Sequence, residues 1–171
     1  MATLRHPQHH HVSYAEKDAS QKVCLIMGFA LIVIGLLGTV MPETLGLHLS
    51  AAHNLIHLVT GILSMWAGSA DDPKKALVLC ITAGFIYATL GVAGFIIGTP
   101  GYPSPNMPGM RGDQYLFRVI PNTLELGSMD HTVHLIVAAF FLFAAVPANK
   151  NEKNVTTQNQ TTEDKSQDKK S

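Results

Sequence analysis

The sequence predicts an all-α integral membrane protein with four transmembrane helices, built as a tandem duplicated helical hairpin. Three observations lead there. Charged residues make up 14% of the chain and are nearly absent from four long apolar stretches, each near the ~20 residues that a helix needs to cross hydrocarbon. Those stretches lack the alternation of a barrel strand, which leaves helices as the structure that satisfies its own backbone in lipid. Finally, Cys24, Gly28, Phe29, Gly35 and Gly38 recur as Cys80, Gly84, Phe85, Gly91 and Gly94, and each copy is followed by an apolar stretch that opens on histidines.

The elements follow in order. Residues 1–22 form a polar leader that reads as a disordered cytoplasmic tail, because ordering a flexible segment costs entropy that the exposed imidazoles of His6, His9, His10 and His11 seldom recover. The transmembrane domain spans 23–148. Its first helix, 23–41, is full length with no small-residue cleavage site after it, and so reads as retained rather than as a signal peptide. The second helix covers 49–68, and Asp71 to Lys75 make a short loop before the third, 76–97. An outer segment, 98–127, opens with Pro100, Gly101, Pro103, Pro105, Pro108 and Gly109, which forbid regular helix there. Its second half, with Tyr115, Leu116, Phe117, Val119 and Ile120 around Arg118, suits a segment lying at the headgroups or folding over the bundle as a lid. The fourth helix is 128–147. Residues 149–171 are rich in Asn, Thr, Gln, Lys and Asp and read as a second disordered cytoplasmic tail.

Basic residues orient the bundle. Arg5, Lys17 and Lys22 precede the first helix, Lys74 and Lys75 join the second to the third, and five lysines follow the fourth, against Arg111 and Arg118 on the other side. By the positive-inside rule both termini are cytoplasmic, which puts His48, His53, His57, His131 and His134 toward the outer face. The helix glycines supply flat surfaces for close packing in lipid. Cys24 and Cys80 fall at equivalent depths near the cytoplasmic face, where they read as small buried apolar groups.

The histidines carry the functional signal. Residues four apart share a helix face, so His53 and His57 project together from the second helix, Asp130 and His134 from the fourth, and His131 sits beside them. Two hairpins repeated in one orientation imply a pseudo-twofold axis along the membrane normal. With neighbouring helices about 10 Å apart, the second and fourth helices lie on a diagonal of roughly 14 Å, across which their side chains could meet. Ionisable groups within spanning helices are costly and usually face the interior or a water-filled cavity.

These residues also carry a resemblance. Asn54 to Leu58 as Asn-x-x-His-Leu, and Asp130 to Leu135 as Asp-x-x-x-His-Leu, resemble the motifs of an uncharacterised bacterial family of four-helix membrane proteins known as a domain of unknown function. The similarity covers residues 22–146, and the chain departs from the pattern in the longer segment between Asn122 and Asp130. The resemblance implies the architecture, the motif residues and a bacterial inner (cytoplasmic) membrane as the location, and no chemistry.

Three readings are open. The chain could bind a transition metal through His53, His57, Asp130 and His134, with His131 adjoining or as an alternative ligand; imidazole with carboxylate suits Zn, Fe or Cu. It could be a b-type cytochrome, with His57 and His134 as the axial ligands of haem. Or it could be a structural or accessory membrane protein whose polar cluster only specifies packing. No phosphate-binding loop, nucleophile elbow or His-Glu-x-x-His is present, so a conventional enzyme is not expected. The formal charge is zero without basic patches, which argues against nucleic acid. The expected partner is the lipid bilayer, with a homo-oligomer or membrane partner left open.

Overall fold

The computed structural model describes residues 17–109 and 111–146. The histidines of the N-terminal tail and the whole C-terminal tail lie outside the described residues. Four helices dominate: α1 Ala19–Val40, α2 Ala51–Ser69, α3 Pro73–Ile97 and α4 Ser128–Ala144. α1 packs most extensively on α2, and α3 on α4.

Local signals set the helix ends. α2 starts at Ser50, whose hydroxyl accepts the His53 amide, and α3 starts at Asp72, whose carboxylate accepts the Lys74 amide ahead of Pro73 in the first turn. α1 begins at Ala19 rather than at Val23, where the apolar run starts, because Gln21 ties its entry: Asp18 N–H donates to Gln21 Oε1 at 3.1 Å, and Gln21 Nε2 donates to Ala70 O at 2.7 Å.

α1 and α3 are long and apolar enough to cross a membrane, whereas α4 is apolar but has 17 residues. α2 falls short because His53, Asn54 and His57 lower its hydropathy. The interior is made from small residues. Cys24, Gly28, Leu31, Gly35 and Gly38 are the buried stripe of α1, and Cys80, Gly84, Tyr87, Gly91 and Gly94 occupy the same spacing on α3. The two stripes meet at one end, where Cys24 Sγ and Cys80 Sγ are 3.5 Å apart.

The outer segment differs from the irregular loop expected. It holds a three-stranded antiparallel sheet, β1 Thr99–Gly101, β2 Asp113–Ile120 and β3 Leu124–Leu126, in the order β1-β2-β3. The aromatic and β-branched run of β2 favours a strand, and the turn to β3 is made by Asn122 at φ 62°, with Thr123 N–H donating to Ile120 O at 3.0 Å. β3 is buried throughout. Glu125, fully buried, accepts Ser104 N–H at 2.9 Å, Ser104 Oγ–H at 2.5 Å and Asn122 N–H at 3.0 Å. This network ties the segment together, while Ser50 Oγ–H to Thr123 O at 2.8 Å and Ser128 N–H to Asp113 Oδ2 at 2.9 Å hold it to the starts of α2 and α4.

Candidate metal centre

His53 and His57 lie one turn apart on the buried face of α2, and His134 faces them from α4. One ligand atom from each of the three comes within 4.8 Å of the others. All three are 2% exposed. The rings of His53 and His57 stack at 4.5 Å between centroids, His53 meets His134 edge-on at 5.5 Å, and His57 and His134 are 6.2 Å apart.

Hydrogen bonding assigns roles to the ring nitrogens. The N–H of His53 Nδ1 donates to His48 O at 2.9 Å, which turns the lone pair of Nε2 toward the cluster. That Nε2 has no hydrogen-bond partner among the described residues, and neither has His134 Nδ1. Tyr87 Oη on α3 lies 3.4 Å from His57 Nδ1, and its ring is 5.3 Å from that of His134. Tyr87 was not singled out in the sequence. Its signal was its place on the glycine stripe, where α1 has Leu31.

Asp130 lies behind the three histidines rather than among them. As the third residue of α4 it accepts Gly127 N–H at 2.7 Å, satisfying a helix N-terminus. It also accepts the His48 amide, at 3.2 Å to each oxygen, and His48 Nδ1 at 3.0 Å, while its Oδ1 stands 3.9 Å from His53 Nδ1. This bond to the Asp130 carboxylate, more than any other influence, holds His48 above the usual histidine range; burial opposes it, and Asp113 and Glu43 add to it. His48 thus joins the site as the link between Asp130 and His53.

His131, expected to adjoin the cluster or serve as an alternative ligand, is placed elsewhere. Its Nε2 donates to Tyr115 O on β2 at 2.8 Å, and its ring sits against Gly94 and edge-on to Phe95 at 5.2 Å. The physical reason is helix geometry: one residue along from Asp130 is about 100° around the helix, which points His131 at α3 and the sheet. Asn122 is a turn residue that donates its backbone N–H to Glu125, not a site member.

No family model, no curated protein and no solved structure matches the chain.

Proposed function

We propose that the protein is a four-helix, multi-pass membrane protein that holds a transition-metal ion between His53, His57 and His134. The single observation that carries the metal reading is the pair of unpartnered buried nitrogens, His53 Nε2 and His134 Nδ1, in a cluster whose ligand atoms lie within 4.8 Å. An unsatisfied buried polar group costs about 1–3 kcal/mol, and these two differ from Asn54 Oδ1, Ser64 Oγ and His131 Nδ1, which also lack partners among the described residues, in belonging to rings that stand against other imidazoles. Tetrahedral coordination with bonds of ~2.0–2.1 Å sets nitrogens about 3.3 Å apart, so the three rings need to close by about 1.5 Å at most. Three imidazoles suit Zn, Cu or Fe and leave one position open. Asp130 and His48 act behind His53: His48 O fixes its tautomer, and Asp130 holds His48.

The haem reading loses support, because the His53 ring stands beside both His57 and His134, in the space that a macrocycle held between them would need.

The membrane reading is supported by the inverted distribution of polarity. α2 turns His53, Asn54, His57 and Ser64 inward and exposes Leu55, Ile62 and Trp66. α4 buries Asp130, His131 and His134 and exposes Ile136, Phe140 and Phe143. A protein in water would hide those apolar side chains. Lys75 Nζ stands 5.2 Å over the Trp66 ring, the pairing expected at an interface. With the lysine asymmetry this favours cytoplasmic termini, and the resembled family favours a bacterial inner membrane. The matched stripes of α1 and α3 favour the duplicated hairpin, and the Asn-x-x-His-Leu and Asp-x-x-x-His-Leu motifs favour the uncharacterised four-helix family.

The test is elemental analysis of detergent-purified protein in which His9, His10 and His11 are replaced by Ala, so that the leader does not contribute metal. About one equivalent of a transition metal is expected, lost in His57→Ala and at low pH, since imidazole ligands must be unprotonated. Wild-type protein that is metal-free and equally stable in chelator overturns the reading.

A further inference from the structure

A cavity of about 180 Å³ lies between α2 and α3, with His53, His57, His134 and Tyr87 at its inner end. It is large enough for one six-membered ring, since benzene fills an apolar cavity of roughly 150 Å³. Apart from Thr60 and Thr82 its remaining walls are apolar, among them Ile56, Leu63, Leu79 and Ile86. Leu124 and Leu126 of β3 also line it, and both are buried. The sheet therefore lays an apolar strand over the histidines. The exposed wall residues lie on the flank of the bundle instead: Ile56, Leu63 and Ile86 are 43%, 46% and 54% exposed. In the membrane reading this flank faces lipid.

We propose that this cavity admits, sideways from the bilayer, a lipophilic molecule whose single oxygen-bearing ring, of the quinone or phenol class, places its oxygen at the histidine cluster. The ligand must be lipid-soluble because the mouth opens on apolar side chains. It must carry a polar atom because the inner end presents two buried nitrogens without partners, His53 Nε2 and His134 Nδ1, and an alkyl chain would leave them unsatisfied. It has to be one ring wide because of the volume. The inference rests on the metal reading in one respect: with a metal ion on the three histidines, the ring oxygen takes the open fourth position; without one, a phenol hydroxyl donates to the lone pair of His53 Nε2, and a quinone oxygen, an acceptor only, takes the N–H of His134 in its Nδ1-protonated tautomer.

The experiment uses the full chain in lipid nanodiscs, with its metal content measured. Three radiolabelled probes are compared after subtraction of empty nanodiscs: a benzoquinone with a decyl tail, the same ring without the tail, and decylbenzene. Saturable binding of about one equivalent is expected for both quinones and not for decylbenzene. Tighter binding of the tailed form identifies a membrane-anchored quinone as the source, and equal binding a free ring dissolved in lipid. Ile86→Trp, at the exposed mouth, should weaken quinone binding at least tenfold with metal content unchanged, and Thr82→Trp should do the same from the neighbouring turn. Equal binding of decylbenzene, absence of saturable binding, or full affinity in both Trp variants overturns the proposal. Quinone binding that is lost in Ile86→Trp, in a protein that never holds metal, would sink the metal reading and leave the cavity assignment standing.

Discussion

The hairpins α1–α2 and α3–α4 agree where they pack and differ where they carry chemistry. Gly35 lies against Asn54 O and the Leu58 side chain, and Gly91 against His131 O and the Leu135 side chain. Gly38 faces the Asn54 amide as Gly94 faces the His131 ring. His57 and His134 are each the seventh residue of their helix, and His53 and Asp130 each the third. At three of these matched positions the residue changes: Leu31 against Tyr87, His53 against Asp130, Asn54 against His131. The first hairpin thereby supplies two of the three clustered imidazoles. The second supplies one imidazole, the phenol beside it and the carboxylate that holds His48. The glycines accept either residue at the matched position, the Asn54 amide in one hairpin and the His131 ring in the other, so the close helix contact is kept while the polar residues differ.

The largest expected effect separates neighbours on one helix. His134→Ala should abolish metal retention, whereas His131→Ala should keep the metal and instead loosen β2, whose Tyr115 carbonyl loses its donor. Metal analysis together with hydrogen exchange of β2 reads both. Loss of metal in His131→Ala would break the distinction between the two histidines.

A smaller effect is expected from the residue matched to His53. Asp130→Asn leaves the three imidazoles in place and weakens the hold on His48, which orients His53. Outer partners of this kind typically carry 10- to 100-fold in metal affinity. Competition with a chromophoric chelator measures it, and an unchanged affinity would mean that Asp130 serves only as a helix cap.

The packing side of the comparison is tested at its tightest points. A Cβ on Gly38 would collide with Asn54 Oδ1, and one on Gly94 with His131 Nδ1. Gly38→Ala and Gly94→Ala should therefore each destabilise the bundle by about 1–3 kcal/mol, the usual range for overpacking. Gly101→Ala, whose nearest neighbour would be 3.5 Å away, should change little. Denaturation in detergent reads all three, and a sizeable effect at only one of the first two would break the symmetry of the frame.

How far the sequence reached follows the same division. The helices and the facing of His57 with His134 were legible, since both depend on spacing along a helix. The sheet was not, because Pro and Gly at its start hide a strand that pairs across a long connection, Thr99 with Leu116, and the short hairpin of Arg118 with Glu125 has no Asn-Gly or Asp-Gly turn to announce it. Asp130 was recognised as a site residue but given a ligand's role, because helical spacing shows which face a carboxylate occupies and not which backbone amides will claim it. Tyr87 was legible and missed: the spacing Cys80, Gly84, Gly91, Gly94 has a gap that Tyr87 fills.

The smallest expected effect concerns the sheet, which has no counterpart in the α1–α2 hairpin. Burial pushes Glu125 upward, but the bonds from the Ser104 hydroxyl, Asn122 N–H and Ser104 N–H and the charge of Arg118 outweigh it, so its carboxyl sits below the ordinary glutamate value of 4.5. Asp113 is likewise held below its ordinary 3.8, with burial opposed by the Ser128 hydroxyl and the amides of Tyr115 and Ser128. A group depressed in the folded state contributes stability that is fully present above its unfolded value and is lost as pH falls through the folded one. The sheet should thus keep its order at neutral pH and lose amide protection in β2 and β3 as pH drops below about 4.5, after correction for the intrinsic exchange rates. Glu125→Gln should show much of that loss already at pH 7 and a flatter acid response. Protection in β3 that stays constant down to pH 3 in the wild type would show that strand pairing, and not the Glu125 carboxylate, holds the sheet over the histidines.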